Sequence, residues 1–160
     1  LLSACSPKFD WREVRGGGAP FIVTLPAKPA SLTRTINLDG MQVQMTMTAA
    51  EVDGVTFAVG AAAMADAAQA QKAIVAMKTA LVKNIGGTIK HEKTSPAGTV
   101  PTVIEVEVRG ASGNGNTPPR LLLARFVAKD QFVYQILVAG EEKSVSREAA
   151  DTFFTSFKPN

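Results

Sequence analysis

Leu38-Asp39-Gly40-Met41-Gln42-Val43-Gln44-Met45-Thr46-Met47-Thr48 is the stretch on which the fold turns. From Met41 to Thr48 apolar and polar side chains alternate without a miss. Met41, Val43, Met45 and Met47 fall on one face, and Gln42, Gln44, Thr46 and Thr48 on the other. Successive side chains of a strand point to opposite faces, so this period of two marks a strand with one buried side. Asp39-Gly40 just before it is a residue pair that tolerates positive φ at both central positions of a tight hairpin. Leu32 to Leu38, on the other side of that turn, alternates too, with Leu32, Arg34, Ile36 and Leu38 offset from Thr33, Thr35 and Asn37.

Outward from this hairpin, Phe21-Ile22-Val23-Thr24-Leu25 is β-branched and aromatic and stops at Pro26. Asp53-Gly54 turns into Val55 to Val59, which makes four antiparallel strands in a row. Then the period changes. From Asp66 onward Ala70, Ile74, Met77, Leu81 and Ile85 recur at helical spacing, opposite Gln71, Lys72, Lys78 and Lys83. Asp66 suits the N-cap of this helix and Gly86-Gly87 its stop. Four more strands are predicted, Thr88 to Lys93, Thr102 to Arg109, Leu121 to Ala128 and Phe132 to Ala139, with Lys129-Asp130-Gln131 as a hairpin tip between the last two. Ser144 or Ser146 caps a final helix whose Ala149, Phe153 and Phe157 form an apolar stripe that Phe154 broadens. The expected class is α+β, with a central antiparallel sheet and the order β-β-β-β-α-β-β-β-β-α.

Composition bounds the functions open to this chain. Its 160 residues carry 17 Lys+Arg against 14 Asp+Glu, a net charge of +3, and are 46% hydrophobic and 19% charged. That fits one soluble globular domain and not a disordered chain. One cysteine and one histidine exclude an internal disulfide, a multi-thiolate centre and the usual multi-His metal sites. The pI near 9.2 invites nucleic acid as a partner, but the Lys and Arg are dispersed and no basic run has interleaved aromatics, so none is expected. The longest weakly polar run, Val55 to Ala65, is about half the ~20 residues of a spanning helix.

Leu1-Leu2-Ser3-Ala4-Cys5-Ser6 resembles the end of a bacterial secretory signal with a lipoprotein box. Leu2, Ser3 and Ala4 fill the signal-peptidase recognition positions, and the only cysteine, Cys5, stands at the attachment position. The resemblance implies a diacylglycerol on the Cys5 sulfur, palmitate-type acyl chains and a membrane anchor facing the periplasm. Ser6, where Asp would favour the inner membrane, tilts the address toward the outer membrane. Residues 1–4 are then a signal-peptide remnant, 5–18 a lipidated stalk reaching up to about 50 Å, and 19–160 the single domain. Gly16-Gly17-Gly18 reads as a flexible joint or a wide turn; alternatively, Trp11 and Val14 dock as an edge strand.

Three further stretches carry a second likeness: Phe21-Ile22-Val23-Thr24-Leu25-Pro26-Ala27-Lys28-Pro29, Phe132-Val133-Tyr134-Gln135-Ile136-Leu137-Val138-Ala139-Gly140 and Ala150-Asp151-Thr152-Phe153-Phe154-Thr155-Ser156-Phe157-Lys158. Together with the element order they resemble the PsbP-like (Ran-binding-protein-like) family. The resemblance covers about residues 19–158 and implies an α/β/α sandwich, found in bacterial lipoproteins and secreted proteins. Its motifs fill a core and bring no catalytic or cofactor-binding residue with them.

Candidate chemistry is sparse. His91, in Lys90-His91-Glu92-Lys93, has no nucleophile or orienting partner in its motif and reads as a solvated strand residue. Met41, Met45 and Met47 could offer thioethers to Cu(I), but Val43 on the same face makes core packing the better reading. Glu105, Glu107 and Arg109 share a strand face and suit an ion-pair ladder. Gly113-Asn114-Gly115-Asn116, within the Gly110 to Pro119 loop, lacks the third glycine and the Lys-Ser/Thr of phosphate-binding loops, and is the candidate contact loop. No catalytic residue, cofactor or metal is therefore expected. The reading is a non-catalytic, lipid-anchored accessory, assembly or docking protein of the bacterial envelope with an envelope-protein partner. The alternatives are a small-ligand or metal carrier with a pocket between sheet and helix, and an enzyme with dispersed catalytic residues.

Overall fold

The computed structural model describes residues 8–110 and 117–160. Leu2, Ser3, Ala4 and Cys5 at the start, and Gly113, Asn114, Gly115 and Asn116 of the contact loop, lie outside the described residues. Strands β1 (Arg12–Arg15), β2 (Phe21–Leu25), β3 (Ala30–Leu38), β4 (Met41–Val52) and β5 (Val55–Ala63) come first, followed by helix α1 (Ala67–Ile85). Then come β6 (Gly87–Thr94), β7 (Thr102–Gly110), β8 (Arg120–Lys129), β9 (Phe132–Glu141), helix α2 (Arg147–Ser156) and the two-residue β10 (Lys158–Pro159).

The class is α+β and the sheets are antiparallel, but a single central sheet is not what forms. Seven strands run β3-β4-β5-β9-β8-β7-β6, and a separate three-stranded sheet runs β1-β2-β10. The first predicted strand, β2, thus leaves the large sheet and pairs with β1 and β10. The cause is local. Phe21, Val23 and Leu25 alternate with half-exposed Ile22 and Thr24, so β2 has one apolar face to bury and lays it on the sheet rather than at its edge. Pro26 and Pro29 bracket the crossing to β3 and cannot extend a ladder. The segment 12–15 is strand rather than free stalk, with Val14 opposite Val23. Gly16 closes the wide β1–β2 turn: its N–H donates to the Phe21 carbonyl at 2.9 Å, and a Cβ there would lie 2.2 Å from the Phe21 ring.

The hairpins form where the turn residues allow them. Asp39 and Gly40, at φ 51° and 88°, and Asp53 and Gly54, at 50° and 79°, adopt the positive φ that such tight turns require. β4 and β5 run past the predicted ends, to Val52 and Ala63. Asp66 caps α1 by accepting the Gln69 N–H at 2.8 Å, and Gly86 ends it at φ 64°. Ser146, not Ser144, caps α2, accepting the Ala149 N–H at 3.1 Å.

Strand alternation sends two sets of side chains to the two faces of the large sheet. On one face Val43, Met45, Val106, Val108, Leu122, Phe126 and Val133 pack against Ala70, Ala73, Ile74 and Met77 of α1. On the other, Phe57, Val59, Tyr134, Ile136 and Val138 pack against Val23 and Leu25 of β2 and against Phe153 and Phe154 of α2. Among the described residues no helix is long and apolar enough to cross a membrane.

Candidate functional site

Among the hollows formed by the described residues, two bring together side chains singled out in the sequence. The first lies on the α2 side, over β6, β7 and β8, where the small sheet stops short. It is a cleft of about 400 Å³ lined by His91, Lys93, Glu105, Glu107, Arg125, Arg147, Asp151 and Phe154, among others. Alternation on β7 turns Ile104, Val106 and Val108 inward, which leaves Glu105, Glu107 and Arg109 on the open face. The ladder expected from the sequence is there, with partners from elsewhere in the chain. Glu105 pairs with Arg125 of β8 at 2.8 Å, Glu107 with Arg147 of α2 at 2.6 Å, and Arg109 with Glu142 at 3.2 Å. His91 sits opposite Glu107 on exposed β6.

The electrostatics follow from these contacts. The hydrogen bond from Arg147 holds the Glu107 carboxyl below the usual carboxylate range; partial burial works against it, and the charges of Arg147 and His91 add to it. The same bond pushes the Arg147 guanidinium up. Arg125 is further fixed by the Phe154 ring, 4.8 Å from the guanidinium carbon to the ring centre. Glu105 and Glu107 thus each face an arginine, and the cleft presents acidic and basic groups side by side. Among the described residues no group of three or more His, Cys, Asp or Glu is placed to hold a metal ion.

The sequence pattern located Glu105, Glu107 and Arg109 but missed Arg125 and Arg147. Arg125 had a signal: it is the lone charge in Leu121-Leu122-Leu123-Ala124-Arg125-Phe126-Val127-Ala128, on a strand otherwise bound for burial. Arg147 had none, because its meeting with Glu107 spans 40 residues of chain.

The second hollow lies on the other face, between the C-terminal half of α1 and the β3–β4 hairpin. It holds about 560 Å³ and is lined by Arg34, Ile36, Met45, Met47, Met77, Leu81, Asn84 and Gln135, among others. Of the methionines singled out for Cu(I), Met45 is buried in the α1 core, while Met41 and Met47 are partly buried against it. Gly60 makes room for two of them, since a Cβ there would lie 2.5 Å from Met47 Sδ and 3.0 Å from Met45 Sδ.

No protein-family model matches this chain, and no curated protein matches it.

Proposed function

We propose that the chain is a non-catalytic docking domain, held to a bacterial envelope membrane by lipid on Cys5 and facing the periplasm, the outer membrane favoured. The observation that carries this reading is how the N-terminal segment is fastened. The Asp10 N–H donates to the Pro26 carbonyl at 2.8 Å, Lys8 pairs with Asp53 at 3.2 Å, and β1 is laddered to β2. Only two residues, Ser6 and Pro7, then separate Cys5 from the fastened Lys8, a reach of about 11 Å at most. A lipid there would hold the domain against the bilayer in a restricted orientation, instead of at the end of a long stalk.

The layered order supports a PsbP-like relationship, as a variant of the α/β/α sandwich. α1 covers one face of the large sheet, and α2 shares the other with the small sheet. The docking surface is the charged cleft, whose alternating Glu and Arg suit an envelope protein with a complementary mixed-charge surface. Gly113, Asn114, Gly115 and Asn116, which lie in sequence between β7 and β8, serve as a second contact.

Crosslinking in intact envelopes tests this. Wild type should be membrane-bound and yield a discrete adduct. Cys5→Ser should release the chain, and Arg147→Glu or deletion of Gly113 to Asn116 should weaken the adduct while the domain stays folded. Cys5→Ser that stays on the membrane overturns the anchor. An adduct indifferent to both cleft and loop changes overturns the docking surface.

A further inference from the structure

The crevice beneath α1 has the features of a ligand site and none of the Glu–Arg pairing of the charged cleft. Its walls are mainly aliphatic and thioether side chains, with Asn37, Asn84 and Gln135 as neutral polar lining, and its volume of about 560 Å³ falls within the usual range for one small molecule. Among the described residues Arg34 is the only ionised one lining it. Among the described residues this guanidinium has no ion pair and no side-chain hydrogen bond, whereas Arg125 and Arg147 of the opposite cleft each pair with a carboxylate. At the floor Gln135, half-buried between Val133 and Leu137 on the α1 face of β9, likewise has no side-chain hydrogen bond. Its amide is open to whatever enters.

These observations fix the chemistry of an occupant. Apolar walls select a hydrocarbon, and methionines adapt their shape to one at small cost. Beyond Arg34 the same face of β3 carries Leu32, 53% exposed, opposite Met47, so the apolar track continues out of the crevice. An unspent cation at the rim favours an anionic head, because a charge-assisted hydrogen bond is gained there without breaking one already made. We infer that this crevice binds a single-chain amphiphile, its hydrocarbon along Met45, Met47 and Met77 and its carboxylate or phosphate head at Arg34. The site lies on the sheet face opposite the small sheet and depends neither on the anchor nor on the docking cleft.

The test uses the full chain carrying Cys5→Ser, so that no covalent acyl chain competes. A fluorescent fatty acid is titrated below its micelle-forming concentration, then displaced by palmitate, a lysophospholipid and the long-chain alcohol of matched length. Saturable one-to-one binding is expected, with the alcohol weaker than the carboxylate by about tenfold. Arg34→Ala should abolish that preference while keeping the alcohol's affinity. Ala80→Phe, which adds a ring at an exposed crevice position of α1, should weaken every ligand by at least about tenfold. Both positions are exposed, so folding should survive, and circular dichroism checks it. The ranking of palmitate against lysophospholipid tells a free fatty acid from a lipid headgroup as the natural source. Absence of saturable binding overturns the inference, as does a head-group preference or an affinity that both substitutions leave intact.

Discussion

The two faces of the large sheet are built from different materials. Nine of the ten aromatic residues lie on the α2 side: Phe9, Trp11, Phe21, Phe57, Phe132, Tyr134, Phe153, Phe154 and Phe157. Phe126 alone lies beneath α1. All five methionines do the reverse and belong to the α1 side. The aromatic face is interlocked by ring geometry. Phe57 meets Phe153 edge-on at 5.5 Å, Phe21 meets Tyr134 at 6.0 Å, and Tyr134 meets Phe157 at 5.3 Å. It is also stitched by polar bonds, from the Thr24 N–H to Ser156 Oγ at 2.9 Å and from the Tyr134 hydroxyl to the Pro20 carbonyl at 2.6 Å. The α1 face joins branched aliphatics such as Ile74, Val106, Val108 and Leu122 to all five methionines and several alanines, and the unbranched thioethers adapt their shape at small cost. A rigid face holds the N-terminal strand in one place, and an adaptable one retains a crevice that can fill.

The sharpest way to break that contrast is to remove bulk from each side. Phe153 is fully buried and touches rings on two elements. Phe153→Ala should cost about 3–5 kcal/mol, since the surrounding rings cannot collapse into the void. Met77→Ala on α1, beside an existing hollow, should stay near the low end, about 2 kcal/mol. Met77→Leu should be nearly neutral and Phe153→Leu should not. Urea unfolding midpoints measure all four. Equal losses on the two sides would mean that the faces differ in composition only.

How far the sequence displays this contrast depends on whether the information is local. The methionine face is legible because Met41 to Thr48 obeys a strict period of two, and the hairpins because Asp-Gly pairs mark positive φ. α1 is legible through spacing and caps. The second sheet is not, because β1 is four largely exposed residues, Arg12-Glu13-Val14-Arg15, and β10 is two residues ending in proline. Neither has a hydrophobic period, and each exists only because β2 is already in place. The candidate cleft is half legible for the same reason. Glu105 and Glu107 share a strand by parity, but their cations arrive through tertiary packing.

A middle-sized effect tests whether the aromatic face is stitched as well as packed. Tyr134 is fully buried, and its hydroxyl is the donor that ties β9 to the turn before β2. Tyr134→Phe keeps the ring and removes one of the two donors to the Pro20 carbonyl, which still accepts the Asn160 N–H at 3.0 Å, so about 1 kcal/mol should be lost. Burial, with Asp130 adding to it, pushes the Tyr134 hydroxyl up from 10.0 to about 12. The native pKa is raised, so this contribution is complete below about 10. It declines as the unfolded chain ionises and the native protein does not, and it is gone once pH passes about 12. Tyr134 is the only tyrosine, so the ultraviolet tyrosinate band reads this one group. Titration at the ordinary value in folded protein would show a hydroxyl open to solvent and a looser face than described.

The smallest effect is expected where the aromatic side gives way to the charged cleft. Glu107 is held below its ordinary 4.5 chiefly by the Arg147 hydrogen bond. Its pair therefore stabilises the fold above about 4.5 and loses that contribution as pH falls through the lower native value, where the carboxylate takes its proton. The Arg147 side chain is 58% exposed, so solvent screens the pair and Glu107→Gln should cost no more than about 1 kcal/mol near neutral pH. The useful reading is the difference in slope. Wild type and Glu107→Gln should differ at neutral pH and converge in acid, as measured by urea midpoints across the acid range, and added salt should shrink the neutral gap. A gap that persists in acid would mean that Glu107 serves packing rather than charge. The cleft would then be an extension of the rigid face, and the mixed-charge docking surface would lose its central pair.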